Sequence, residues 1–191
     1  MTTSTPPRAL NHVGMTVPDI WGAIDWYGAV LGFAHVMEPS VLQAGSAATH
    51  ETPSIFGARF RKAHQAHLTT NGIGLELFQF VDPRVAEPAE KIEYWRRGYW
   101  HLAFTAPDID ECCERIVASG GKRHIPTFEF IPRRRYRLIY CEDPWGNILE
   151  LFSHHYQEAM GNWPQPGMRD ESMMLTRDGR EVPLRRQSSG S

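Results

Sequence analysis

Two histidines and two glutamates recur in matched frames along this chain, and together they make a set able to bind a divalent cation. His12–Ile20 reads His-Val-Gly-Met-Thr-Val-Pro-Asp-Ile, and His101–Ile109 reads His-Leu-Ala-Phe-Thr-Ala-Pro-Asp-Ile. The tetrapeptide Leu-Glu-Leu-Phe occurs at Leu75–Phe78 and again at Leu149–Phe152, carrying Glu76 and Glu150. Imidazole nitrogens and carboxylate oxygens suit hard and borderline divalent ions. Chance rarely sets matched ionisable residues in matched apolar frames, so the repeat carries weight. With strand alternation, Glu76 shares a face with Gly74, Phe78 and Phe80, and Glu150 shares one with Ile148 and Phe152. An unpaired carboxylate on such a face costs on the order of several kcal/mol, so it needs a cation or a proton. Singly, each residue has a plainer reading: a strand histidine satisfied in the core or at an edge, a Leu-flanked glutamate facing solvent.

The ligand count bears on the reaction. Four protein ligands, His12, Glu76, His101 and Glu150, leave two adjacent positions on a six-coordinate ion, which suits a bidentate hydroxy- or oxo-substrate. Ring-cleaving oxygenation needs three open positions and a two-His-one-carboxylate set. In the first case the metal polarises a substrate oxygen, a glutamate takes the proton from the neighbouring carbon, and an enediolate-like intermediate is stabilised. Return of the proton to the adjacent carbon isomerises; return to the opposite face epimerises. One divalent ion per site is expected, and Ni, Co, Zn, Mn and Fe all accept this donor set.

These side chains must be carried by strands. Leu10–Val17 alternates as a strand, with His12, Gly14 and Thr16 on one face. Pro18-Asp19 ends it and caps a helix in which Ile20, Ile24, Tyr27 and Leu31 are helically spaced, with Gly32 as the stop. Phe33–Met37 reads as a strand, Val41–Gly57 as a loop or insertion, and Ala58–Thr69 as a strand. Asn71-Gly72 is a hairpin signal, because both residues tolerate positive φ, and Ile73–Val81 returns with Glu76. Residues 82–98 form a polar connector with room for one short helix ending at Gly98.

The pattern then repeats. Tyr99–Thr105 is a strand, and Asp108 caps a helix with Ile109, Cys112, Ile116 and Val117 that Gly120-Gly121 stops. His124–Phe130 and Arg134–Cys141 are strands, Asp143–Asn147 is a tight turn, and Ile148–Phe152 returns with Glu150. The expected organisation is therefore a tail over 1–9, a first βαβββ module over 10–81, the connector, a second module over 99–155, and a C-terminal arm or disordered tail over 156–191.

Composition narrows the function class. A formal net charge of −2 gives no electrostatic case for nucleic acid or an anionic membrane. No apolar run reaches the ~18 residues of a membrane span, and Met1–Arg8 has no signal-peptide core, so a cytoplasmic protein is expected. Three cysteines, two of them adjacent and none in a Cys-x-x-Cys, suggest packing rather than disulfides or thiolate metal sites.

With these segments in this order, residues 10–153 resemble the vicinal oxygen chelate superfamily, which includes glyoxalase I, methylmalonyl-CoA epimerase, extradiol dioxygenases and bleomycin-resistance proteins. The resemblance rests on His12–Asp19, Leu75–Phe78, His101–Phe104 and Asp143–Glu150. It implies an α+β fold of two βαβββ modules whose curved mixed sheets surround a metal-holding cleft. It implies metal ligands at His12, Glu76, His101 and Glu150, placed within one chain or across a homodimer. It points to Glu150 as the base and Glu76 as partner acid or base, in a glyoxalase- or epimerase-like lyase or isomerase. An Fe(II) dioxygenase and a drug-binding protein of the same fold are the competing readings. Thr16 stands where bacterial glyoxalase I usually carries a glutathione-holding arginine, which counts against a glutathione substrate. Arg133, Arg134, Arg135 and Arg137 form a basic cluster that can hold a substrate anion or simply face solvent. Tyr136, Trp100 and Trp145 are read as core or cleft wall, and His35, His64 and His67 as cleft, surface or packing residues.

Overall fold

The computed structural model describes residues 8–46, 55–86, 92–131, 134–161 and 173–183. The chain divides into two compact units, Met1–Glu93 and Tyr94–Ser191.

The first unit runs β1 (His12–Thr16), α1 (Ile20–Leu31), β2 (Ala34–Gln43), β3 (Lys62–Thr70), β4 (Ile73–Asp82). Its sheet has the order β1-β4-β3-β2. β1 lies parallel to β4 and the remaining pairs are antiparallel. The Asp19 carboxylate accepts from the Gly22 N–H at 3.2 Å, and Gly32 closes α1 at φ 73°. Ile20, Ala23, Ile24, Tyr27 and Val30 form the buried stripe of α1. On the sheet, Ala66, Leu68, Leu75 and Leu77 are buried and alternate with the Glu76 face. Each such apolar side chain contributes roughly 1.5–3 kcal/mol by leaving water. Gln79 fixes the β1–α1 corner: its amide donates to the Pro18 carbonyl at 2.8 Å, and its oxygen accepts from the Ile20 N–H at 3.2 Å.

β2 is longer than the Phe33–Met37 strand expected, running on to Gln43 through Pro39. The register slips between His35 and Met37 and again between Met37 and Ser40. A proline is tolerated there because β2 is an edge strand and the bulge excuses its missing N–H.

The second unit runs β5 (Leu102–Thr105), α2 (Ile109–Ala118), β6 (Lys122–Arg123), β7 (Phe128–Ile131), β8 (Tyr136–Glu142), β9 (Ile148–Phe152), α3 (Tyr156–Gly161), β10 (Met173–Leu175), β11 (Glu181–Pro183). The sheet order is β5-β9-β8-β6, with β7 also on β8, and β5 lies parallel to β9. Ile109, Cys112, Cys113 and Ile116 are the buried stripe of α2, and Ile139, Cys141, Leu149 and Leu151 are the buried alternate positions of β8 and β9. Gly121 is obligatory, because a Cβ there would collide with the Glu142 carbonyl and Ile116.

Three expectations change in this unit. The single strand over His124–Phe130 is split into β6 and β7, and Pro126, which has no N–H for a ladder, sits in the break. Asp108 precedes α2 but makes no capping bond; its carboxylate instead accepts from Arg115 at 2.9 Å. The stretch after 155 is not wholly a loose tail. α3 buries Ala159 against Leu138 and Phe152, and β10 and β11 pair as a hairpin. In the connector, residues 94–98 form turns and bends rather than a helix end, while residues 87–91 lie outside the described residues. The α+β class and the mixed sheets are as expected. No helix among the described residues is long and apolar enough to cross a membrane.

Candidate metal-binding side chains

Glu76 sits in β4 between Leu75 and Leu77, which turn toward the buried face, so its carboxylate lies on the opposite face of the sheet. Its neighbours there are set by register: Gly14 in β1 and His67 in β3 lie directly opposite it. His12 Nε2 lies 3.5 Å from Glu76 Oε2, and His67 Nδ1 lies 3.4 Å from Oε1. The backbones come close at this point, since a Cβ on Gly74 would stand 2.9 Å from the His12 Cβ.

Asn11 orients the His12 ring. Its Nδ1 lies 2.7 Å from Asn11 Oδ1. With Nδ1 donating to that amide oxygen, a neutral His12 turns a bare Nε2 lone pair toward a carboxylate oxygen. Two lone-pair donors facing each other repel unless a proton or a cation lies between them. A metal-bound histidine shows the same arrangement, its second ring nitrogen donating to a nearby oxygen.

In the second unit His101 immediately precedes β5, and its Nε2 lies 3.1 Å from Glu150 Oε2. Glu150 is 8% exposed, in a strand whose residues are all buried. Tyr140 lies opposite it in β8, and burial and then a hydrogen bond to Glu150 push the Tyr140 hydroxyl well above the usual phenol range. Trp100 stacks on Tyr140 at 5.5 Å between centroids and meets the His101 ring edge-on at 4.2 Å. The buried His101 Nδ1 has no hydrogen-bond partner among the described residues.

Each pair fits a divalent ion. Donors at ~2.1 Å from an octahedral cation and cis to one another stand about 3.0 Å apart, close to the 3.1 and 3.5 Å observed. Within the first unit the two imidazoles address different oxygens of Glu76, so His12, Glu76 and His67 do not converge on one point. Among the described residues no group of three or more His, Cys, Asp or Glu side chains is arranged to hold a metal ion. The structure thus brings His12 to Glu76 and His101 to Glu150.

Other candidates fall elsewhere. Arg137 Nη1 lies 2.6 Å from Asp110 on α2, which also accepts from Thr127; the Thr127 bond first and then Arg137 hold the Asp110 carboxyl below its usual value. That places Arg137 on the helix side of the sheet, away from Glu150. Arg135 sits in a turn at φ 57°, and Arg133 lies outside the described residues. Tyr136 is 7% exposed and packs edge-on against His154. His64 bonds Gln79, and His35 meets Trp21 edge-on. Cys112, Cys113 and Cys141 are buried free thiols, with 3.2 Å between the sulfurs of the last two.

Motif reading leaves His67 among the cleft, surface or packing residues and does not pair it with Glu76, nor Tyr140 with Glu150. For His67 a signal exists: a two-residue Asn71-Gly72 turn pairs Thr70 with Ile73, and counting back three residues on each strand puts His67 opposite Glu76. Tyr140 is joined to Glu150 through a five-residue turn, whose register the letters do not set.

Comparison with known proteins agrees with the internal repeat. A protein of an Actinomyces species, 2-epi-5-epi-valiolone epimerase, is 27% identical over 150 residues, covering 76% of this chain and 79% of that protein. A glyoxalase family protein from Bacillus cereus superposes with a TM-score of 0.63 at 21% identity, covering 80% of this chain and 97% of that one. The fosfomycin resistance protein FosX from Listeria monocytogenes, in a variant solved with Mn(II) and 1S,2S-dihydroxypropylphosphonic acid, gives a TM-score of 0.51 at 16% identity over 81% of this chain and 99% of that one. The family model for the glyoxalase/bleomycin resistance protein/dioxygenase superfamily matches residues 9–151. That match enters before His12 and leaves after Glu150, so it takes in all four of His12, Glu76, His101 and Glu150, and the chain belongs to this superfamily.

Proposed function

We propose that the chain is a metal-dependent epimerase or isomerase of the glyoxalase type, acting on a small hydroxy- or oxo-compound. His12, Glu76, His101 and Glu150 are the proposed ligands of one divalent ion. The observation that carries this reading is the orientation of His12: Nδ1 is held by Asn11 Oδ1 at 2.7 Å, and Nε2 is aimed at the Glu76 carboxylate 3.5 Å away. The matched pair at His101 and Glu150 supports it. The likeness to 2-epi-5-epi-valiolone epimerase favours epimerisation over the lyase reaction.

A divalent ion in such a site supplies Lewis acidity, drawing charge from a substrate oxygen and so acidifying the adjacent carbon. The chain does the rest. Glu150 accepts the proton of that carbon while the bonding pair stays on the substrate. The Tyr140 hydroxyl holds one Glu150 oxygen in place, and the Trp100–Tyr140 stack keeps water from the carboxylate. Glu76, positioned by His12 and His67, returns a proton to the opposite face. Glu150 is left protonated and Glu76 ionised, and solvent resets both.

The test is elemental analysis of untagged protein purified without chelators, followed by proton NMR of candidate hydroxy-ketones in deuterated buffer. About one equivalent of metal per chain, and metal-dependent loss of a single C–H signal, are the expected results. Protein that takes up no divalent ion on reconstitution overturns the reading.

A further inference from the structure

The first unit holds a pocket of about 290 Å³, on the face that carries Glu76, lined by Thr16, Phe56, Phe60, Phe80, Arg59 and Arg84 among others. Its wall is aromatic. Phe56 packs on Phe60 at 5.0 Å and on Phe80 at 5.3 Å, and Phe78 stacks with Phe80 at 6.0 Å. Its charge is of one sign: Arg59 and Arg84 are both exposed, and neither has an ion-pair or hydrogen-bond partner among the described residues. Two unpaired guanidiniums beside phenyl rings combine fork-shaped anion donors with flat apolar surface. The volume is at the small end for ligand sites.

We propose that this pocket binds a small organic anion with a flat aryl or ring-shaped body, its carboxylate or phosphate held by Arg59 and Arg84 and its ring laid against Phe56, Phe60 and Phe80. The inference goes beyond the metal reading and depends on it only for the further assignment that the anion belongs to the substrate. The Arg133–Arg137 cluster is not needed for it, since Arg137 is already engaged by Asp110.

The experiment is calorimetric titration of the whole chain, both as purified and after chelator treatment, with phenyl phosphate, benzoate and the neutral benzyl alcohol. Both anions, or one of them, should bind at least tenfold more tightly than benzyl alcohol, and their ranking separates a phosphate site from a carboxylate site. Binding should weaken at least tenfold in Arg59→Gln/Arg84→Gln, with an unchanged melting temperature. It should also survive chelation, which separates failure here from failure of the metal reading. Equal affinity for the neutral compound, unaltered affinity in the double variant, or binding lost with the metal each overturns the proposal. Should the double variant not fold, Arg59→Lys and Arg84→Lys singly carry the test, because a point charge replaces the fork and affinity should fall several-fold in each.

Discussion

The two halves spell nearly the same words and build different surroundings from them. In the first unit the His12 and Glu76 side chains keep 48% and 24% of their surface exposed, and the imidazole is steered by Asn11. In the second, the His101 and Glu150 side chains keep 27% and 10%, the ring is hemmed by Trp100 and Tyr140, and its Nδ1 has no partner among the described residues. Duplication copies the donor atoms but leaves the support around each pair to be settled separately. In the proposed reaction that difference divides the roles: solvent reaches the Glu76 carboxylate, and the Glu150 carboxylate is walled off from it.

The comparison can be broken most directly at the glutamates. Glu150→Gln should slow solvent-deuterium exchange of the substrate C–H by about 10²–10⁴-fold while retaining metal. Glu76→Gln should slow return to the opposite face and leave the first proton removal faster than in Glu150→Gln. Equal losses in both variants, followed by NMR, would make the division of roles wrong. Next come the two cores. Leu77 and Leu151 are both fully buried in the strands that carry the glutamates, so Leu→Ala at either should cost about 2–5 kcal/mol in urea denaturation. Asn11→Ala removes the steering of His12 and should weaken metal binding roughly 10–100-fold, read by titration with Mn²⁺. Among the described residues His101 Nδ1 has no such partner for a matching variant to remove.

The smallest effect concerns pH. Burial pushes the Glu142 carboxyl up, but Lys122 at 2.8 Å and His124 at 3.0 Å outweigh it and leave the group below its ordinary value. A depressed carboxyl stabilises the fold above the unfolded value of roughly 4.3, and that contribution is lost as pH falls through the folded value. Lys122 is 61% exposed, so solvent screening limits the effect to about 1 kcal/mol. Stability of the wild type should drop by that amount between about pH 5 and pH 3, and Glu142→Gln should be flatter there in urea denaturation curves.

Much of the fold is legible because local signals agree. Asp19 and Gly32 bound α1, the stripe Ile20–Ala23–Ile24–Tyr27 gives its buried face, and Asn71-Gly72 closes the hairpin. What the letters hide is non-local. Pro39 reads as a breaker yet sits inside β2, since only the pairing pattern shows an edge strand with a bulge. Asp108 reads as a cap, but Arg115 claims its carboxylate. The four His and Glu positions are legible through repetition, whereas their orienting partners, Asn11, His67 and Tyr140, differ between the copies and leave no repeat to find.

The hairpins show how such a chain tolerates insertions and deletions. Glu76 faces His67 across a turn of two residues, and Glu150 faces Tyr140 across a turn of five. Aligning the two copies without a gap on Leu-Glu-Leu-Phe would set Tyr140 against Ala66, a residue of the buried face. A length change at either turn is therefore acceptable only when the ladder re-forms with the same pairing. Losing one residue from Asn71-Gly72 and sliding the return strand by one would carry Glu76 to the side covered by α1 and bring Leu75 and Leu77 into its place. The turns, several residues away from the glutamates, are where a single codon can switch which side of the sheet the carboxylate faces.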